Sequence, residues 1–446
     1  MRARQLTREQ ASLPRQRSDK EMKRTISAMI PRAKNGNLQT LQYLAEGVRK
    51  IPEFVTLEVF EAFLENLQAS KVPSIESLQT SFALKADGTF RDSRNQCAFQ
   101  AIQGLINATP LIRSKREIGE LLVARWPDVL SWMWYFYIAC FERNLANKKL
   151  KQDMQRRITL MFAAGCSQND YALALAHTPG TIRLATLVCM LDPAESFLDK
   201  SETCLGTFTL MNFLQSSFPA STVTTFLLNE MLEALGDGGK LFVDRYISHL
   251  IESFDTPEIM EIAVSAYLAL FMILNQIPKH PLSVLLRAHD PIAILTAMLH
   301  RALNILSDAK SGRFGSKYTA KLPRVIAMFF HQVYGLLRTG EGRSKLALQA
   351  LQDGIMTVLI ECAPLAFAFD TIDRNKMVDL LKVLTCLTTR IPVARQASAE
   401  LERIESRCSV RVRLNSSTPD VRKAWLTFCD AIYARRTIRV SSWIAF

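Results

Sequence analysis

The stretch Thr56-Leu57-Glu58-Val59-Phe60-Glu61-Ala62-Phe63-Leu64-Glu65-Asn66-Leu67 decides the fold class. Thr56 has a hydroxyl that can accept an N–H from a first helical turn. Val59, Phe60, Phe63, Leu64 and Leu67 then recur at spacings of three and four, which places them on one face of a helix. The same pattern continues outward. Ser114 and Glu117 have capping-box spacing ahead of Ile118, Leu121 and Leu122. Pro127 sits where a helix should start, since a first turn does not need its missing N–H, and the aromatic run Trp126 to Phe141 follows. Thr256-Pro257-Glu258 should open the helix carrying Ile262 to Leu274, and Thr418-Pro419-Asp420 the last one, to about Arg436. Strand signals are scarce. Val410, Val412 and Leu414 alternate with Arg411 and Arg413, which predicts a short edge strand or extended coil.

Between the helices lie short breaks: Gly236-Asp237-Gly238-Gly239, Asn275-Gln276-Ile277-Pro278, Asp290-Pro291 and Thr339-Gly340-Glu341-Gly342. The basic loop Ser311 to Lys317 is the longest flexible candidate. Helices joined by short turns predict an all-α fold, an irregular armadillo/HEAT-like α-solenoid of stacked helix pairs. At roughly 40 residues per pair it would hold about eight or nine units, none marked by a clean sequence repeat. The predicted organisation is a disordered basic tail over residues 1–17, a helical domain over 18–436 and an irregular tail over 437–446. With 446 residues, 48% hydrophobic and 22% charged, the chain has the composition of a packed protein, and whole-chain disorder is excluded.

The net charge of +13 sits at the ends. Residues 1–34 hold ten Lys/Arg against three Asp/Glu, giving +7; residues 390–446 hold eleven against five, giving +6; the long middle is neutral. End-loaded charge fits a tail, a targeting signal or an acidic partner better than a basic nucleic-acid-binding face. Nine widely spaced cysteines, an odd number, argue for buried thiols in a reducing compartment rather than a disulfide framework. The Met1-to-Leu6 start has no apolar core behind its arginines, which argues against a secretory signal. The longest clean apolar run, Ile262 to Leu274, is too short to span a bilayer, so no transmembrane segment is predicted and an intracellular address, cytoplasmic or nuclear, is expected.

Motifs that could carry chemistry fail on spacing. Gly236-Asp237-Gly238-Gly239-Lys240 is superficially like a phosphate loop, but Ala234 and Leu241 stand where that loop needs Gly and Ser/Thr, so a glycine C-cap and turn is expected. No two of the six histidines lie three or four apart, and no CxxC or GxSxG occurs. No catalytic, cofactor or metal residue is predicted. Trp132, Trp134, Tyr135, Phe136 and Tyr137 lack interleaved cations and are expected to be core rather than a stacking platform. From Ser18 to Ile30, Met22, Ile26, Met29 and Ile30 form a stripe opposite Lys20, Lys23 and Arg24. A membrane-surface helix or an import patch would use that pattern, but a first helix docked on the Leu38–Leu41–Val48 helix is favoured.

Three segments together carry a resemblance: Trp126-Pro127-Asp128-Val129-Leu130-Ser131-Trp132, Thr178-Pro179-Gly180-Thr181-Ile182-Arg183-Leu184, and Arg422-Lys423-Ala424-Trp425 running into Ala431 to Arg436. With them the chain resembles the helical region of basidiomycete proteins that end in a MYND-type zinc finger, over most of residues 35–436. The resemblance implies a divergent helical platform whose last helix, with its Trp and trailing arginines, lies just before the first zinc cysteine. The finger itself would hold two zinc ions. After Cys429 this chain has neither cysteine nor histidine, so no zinc ligand carries over, and zinc is expected only if the chain continues into a finger beyond Phe446.

The favoured function is a non-enzymatic protein–protein interaction scaffold with an unidentified protein partner. Lys20, Lys23, Arg24, Arg435, Arg436 and Arg439 form its candidate charged contact surface. The alternative is a chromatin or nucleic-acid-associated protein using its basic ends. A SET-type methyltransferase would need a β-rich domain, which the pattern lacks.

Overall fold

The computed structural model describes residues 19–51, 56–86, 88–166, 168–191, 209–216, 221–255, 260–310, 320–339, 342–407 and 409–444. The protein is all-α: among the described residues no strand forms, and the extended pairing is the isolated bridge Leu84–Phe90. The chain divides at Thr181 into two compact units, Met1–Thr181 with Asp192–Leu198, and Ile182–Leu191 with Asp199–Phe446.

The first unit holds α1 (Asp19–Lys34), α2 (Leu38–Lys50), α3 (Leu57–Glu65), α4 (Leu78–Ser81), α5 (Ser93–Asn107), α6 (Thr109–Ser114), α7 (Arg116–Ala124), α8 (Trp126–Tyr137), α9 (Lys148–Gly165) and α10 (Asn169–Ala176). The Thr56 side chain accepts the Val59 N–H and caps α3, as its position predicts. Val59, Phe60, Phe63, Leu64 and Leu67 are all buried. Helix α1 packs on α2 and α3, so the docked first helix is what forms. Asn66 fastens that junction, its Nδ2 donating to the carbonyls of Ala33 and Ala62 at 2.8 Å each. Pro127 stands at the start of α8, whose run then widens into a π turn over Ile138–Glu142. Trp132, Tyr135, Phe136 and Tyr137 of that helix are buried as core. Packing is close enough to select glycine: a Cβ on Gly104 would lie 2.4 Å from the Phe63 ring.

The second unit holds α11 (Thr181–Cys189, entered from Thr181), α12 (Ser221–Leu235), α13 (Gly239–Glu252), α14 (Met260–Gln276), α15 (Pro281–Ala288), α16 (Pro291–Lys310), α17 (Leu322–Thr339), α18 (Arg343–Gln352), α19 (Ile355–Cys362), α20 (Thr371–Leu387), α21 (Ile391–Arg407), α22 (Val410–Asn415) and α23 (Pro419–Ile444). In both units helices pack on close chain neighbours: α2 on α5 and α5 on α9 in the first, α14 on α17, α17 on α20 and α20 on α23 in the second. Such local pairing is what an array of helical repeats requires. A buried carboxylate joins α21 to α19: Glu400 accepts from Arg403 Nε at 2.8 Å and from Thr357 Oγ1 at 3.2 Å.

Three local expectations change. Ser114 is the last residue of α6, so its helical backbone cannot cap α7; Lys115, extended at φ −120°, precedes that helix without a side-chain cap. Val410–Asn415 is a helix, not a strand. Val410 and Leu414 are four apart, a spacing that serves one helix face as well as alternation does a strand, and Leu414 is buried there. The last helix does not stop at Arg436 but runs to Ile444, because no Gly or Pro interrupts Thr437 to Ile444, so residues 437–444 of the expected irregular tail are helical, and Ala445 and Phe446 lie outside the described residues. The Gly236–Gly239 motif is a junction, as expected: Gly236 turns at φ +51° after α12, a short 3-10 turn follows, and α13 begins at Gly239. Residues 1–17, Thr256-Pro257-Glu258 and the loop Ser311 to Lys317 lie outside the described residues.

Candidate functional site

A surface of the second unit is assembled from its last elements. After α19 the chain makes a 3-10 turn, Ala363–Phe367, and Asp370 then caps α20 by accepting the Asp373 N–H. Residues three apart in the turn point inward: Ala363 and Ala366 are buried, while Phe367 is left 68% exposed. Ile372, in the first turn of α20, is 70% exposed. Helix α22 packs on the 3-10 turn, on α19 and on α23. It buries Leu414 and leaves Val412 61% exposed between Arg411 and Arg413. Leu426 on α23 is exposed as well.

These elements are held in place by arginines used as fasteners. Arg422 donates from Nε to the Leu414 carbonyl and from Nη2 to the Asn415 carbonyl, both at 3.0 Å. It thereby satisfies the open carbonyls at the end of α22. Arg374 on α20 pairs with Asp420 at the start of α23 at 2.9 Å. The remaining cations are spare: Arg411, Arg413 and Lys423 form no ion pair with the described residues. The elements therefore carry exposed large apolar side chains, together with cations that make no ion pair with the described residues.

The charged residues read from sequence lie on two helices, α1 of the first unit and α23 of the second. Arg24 is exposed on α1. Lys20 and Lys23 lie on the same helix, and Arg436 and Arg439 on α23, but their side chains lie outside the described residues. Arg435 is half-buried, bonded to the Thr388 hydroxyl and, at 3.0 Å, to the Ala431 carbonyl. It ties α23 to the end of α20 and is not an open contact. Phe367 and Ile372 were not legible as surface residues, since nothing in their local spacing separates an exposed apolar side chain from a buried one.

Cysteines and histidines sit where packing puts them. The seven described cysteines are free thiols. Burial pushes the Cys189 thiol up to about 12 and those of Cys140, Cys166 and Cys362 well above the ordinary thiol range. His280 is the N-cap of α15: its Nδ1 accepts the Leu282 N–H at 3.3 Å while Nε2 faces Asn229 Oδ1 at 3.2 Å. Burial lowers the pKa of His280, His249 and His331, favouring the neutral ring. Among the described residues no three His, Cys, Asp or Glu side chains converge as a metal cage. No single helix there is long and apolar enough to cross a membrane. No family model matches the chain, and no curated protein matches its sequence.

Proposed function

We propose that this protein is a non-enzymatic helical scaffold that docks other proteins through the last elements of its second unit. The observation that carries the reading is the exposure of Phe367, Ile372 and Val412 on elements whose cations Arg411, Arg413 and Lys423 form no ion pair with the described residues. Large exposed apolar side chains rimmed by charge are the usual mark of an interaction surface, because leaving them in water forgoes stabilisation that a partner supplies. The resemblance to the helical platforms of MYND-finger proteins agrees with such a role. Under it, zinc would belong to a finger and not to this chain. Free thiols throughout the described residues support a reducing, intracellular address.

The test is quantitative affinity purification of the full chain beside Phe367→Ser/Ile372→Ser. Loss of a reproducible set of partners with the variant supports the reading, provided its circular dichroism melt is unchanged. An identical partner set sinks it. The +7 and +6 charges of residues 1–34 and 390–446 favour one second reading, association with nucleic acid. Duplex binding that weakens steeply with salt, and that vanishes on removal of residues 1–34, would move the conclusion there.

A further inference from the structure

The first unit contains a groove that the scaffold reading does not use. It has a volume of about 430 Å³, in the range of small-molecule sites. Four parts of the chain form it: the start of α2, Lys85 with Gly88, Thr89 and Phe90, α5 and the first turns of α9. Leu38, Phe90, Phe99 and Leu150 give it an apolar wall. The loop is held by the Leu84–Phe90 bridge and by Lys85 N–H donating to the Thr89 carbonyl at 2.7 Å. Gln96 Nε2 bonds the Phe90 carbonyl and fixes that ring against α5.

The polar groups on the groove are of two kinds. Lys85 and Lys149 are exposed on its rim and form no ion pair with the described residues. Gln42 and Gln100 make no hydrogen bond to the described residues, so their amides are available to a ligand. Beneath the wall lies a third cation. The Arg157 guanidinium stacks on Phe99, 3.7 Å from the ring centroid, and Nη1 donates to the Phe99 carbonyl at 3.1 Å. It makes no ion pair with the described residues, and burial lowers its pKa to about 10 against the pull of Asp153. Asp153 is the one carboxylate among the groove's described lining residues, and it suits a ligand hydroxyl as an acceptor. Among the described lining residues, rings, free amides and two lysines against one carboxylate define one chemistry.

We propose that this groove binds a small aromatic anion of nucleotide size, its ring against Phe90 and Phe99 and its phosphate or carboxylate between Lys85 and Lys149. Calorimetric titration of the full chain with AMP and with 2-naphthoate tests it, with adenosine and inorganic phosphate as fragments. Saturable binding of either aromatic anion, weakened about tenfold or more by Lys85→Glu/Lys149→Glu, is the expected result. AMP binding with 2-naphthoate silent assigns a nucleotide; the reverse assigns an aromatic acid. Gln100→Trp, which fills the groove, should abolish the signal, whereas Arg411→Glu/Arg413→Glu in the second unit should leave it intact. Absence of binding by both anions, or binding that the Lys85/Lys149 double variant leaves unchanged, overturns the proposal. Inorganic phosphate binding as tightly as AMP also overturns it, since the ring would then contribute nothing.

Discussion

The two units are built from the same kind of element and held in different ways. In the first unit the core is a lattice of rings. Phe82 meets Phe90 at 5.1 Å edge-on and Phe136 at 6.4 Å, Phe90 meets Phe99 at 5.6 Å, and Trp132 meets Phe136 at 5.6 Å. A polar triad is buried beside it: Ser81 Oγ and Tyr135 Oη lie 2.9 Å apart, and Asn95 Nδ2 donates to the Ser81 carbonyl at 2.8 Å. The second unit is mostly aliphatic. Ring contacts there are fewer, such as Tyr246 with Tyr267 at 5.3 Å and Phe254 with Phe329 at 5.9 Å among the described residues. Much of its buried surface comes from aliphatic side chains such as Val325, Ile326, Val333, Leu336 and Leu337 on α17. Ring geometry and buried hydrogen bonds are directional, whereas aliphatic burial follows area, so the first unit should be the less tolerant of shape change.

The strongest way to break this contrast is at Phe136. Phe136→Ala should cost about 3–5 kcal/mol, for lost transfer energy plus the cavity. Phe136→Leu keeps most of the volume and removes contacts with several rings, whereas Phe329→Leu removes the contact with Phe254, so the first should cost about 1–2 kcal/mol more, since an aromatic pair adds about 0.5–1.5 kcal/mol beyond its area. Denaturant melts resolved by amide exchange in α8 and α17 decide it. Equal costs would mean that the rings act only as volume.

Tyr135→Phe comes next. Loss of its hydroxyl leaves Ser81 Oγ short of a partner in a buried setting, at a cost of about 1–2 kcal/mol. The same denaturation series measures it.

A smaller effect sharpens the contrast through pH. The three histidines whose pKa burial lowers, His249, His280 and His331, all lie in the second unit. Below their ordinary pKa of 6.5 the unfolded chain binds protons that the folded unit resists. Stability is therefore full above about 6.5 and falls as pH drops through that value. Amide protection in α13, α15 and α17, corrected for intrinsic exchange, should fall on acidification to about pH 5.5 more than in α5 and α8. Equal loss in both units would remove histidine burial as a distinction.

The smallest expected change is at Arg411 and Arg413. With no ion pair to the described residues to lose, glutamate at both positions should shift stability by about 0.5 kcal/mol or less while disturbing any docked partner. A large loss of stability would show that these cations hold the fold rather than wait for a ligand.

What sequence made legible was local. Thr56 reads as a cap and Pro127 as a helix start because each acts on its own next turn. Ser114 reads as a cap too, yet the preceding turn from Thr109 claims it, and that competition is settled by how α6 packs on α7 and α9. The alternation at Val410 to Leu414 fits strand and helix alike until burial of Leu414 selects one. The groove was beyond reach for a different reason. Its lining runs from Leu38 to Asp153 and exists only when α2, α5, α9 and one loop converge. The exposure of Phe367 is likewise a property of what fails to cover it.

The pairing of each helix with partners a few elements along the chain has a consequence for biosynthesis. A helix leaving the ribosome finds its packing surface already made, or made within the next few helices. Little chain has to be closed into loops before burial begins, so the search is short and the cost in entropy is met in small steps. The first unit can begin to consolidate while the second is still being translated, and a nascent chain of this kind keeps its apolar faces in water only briefly.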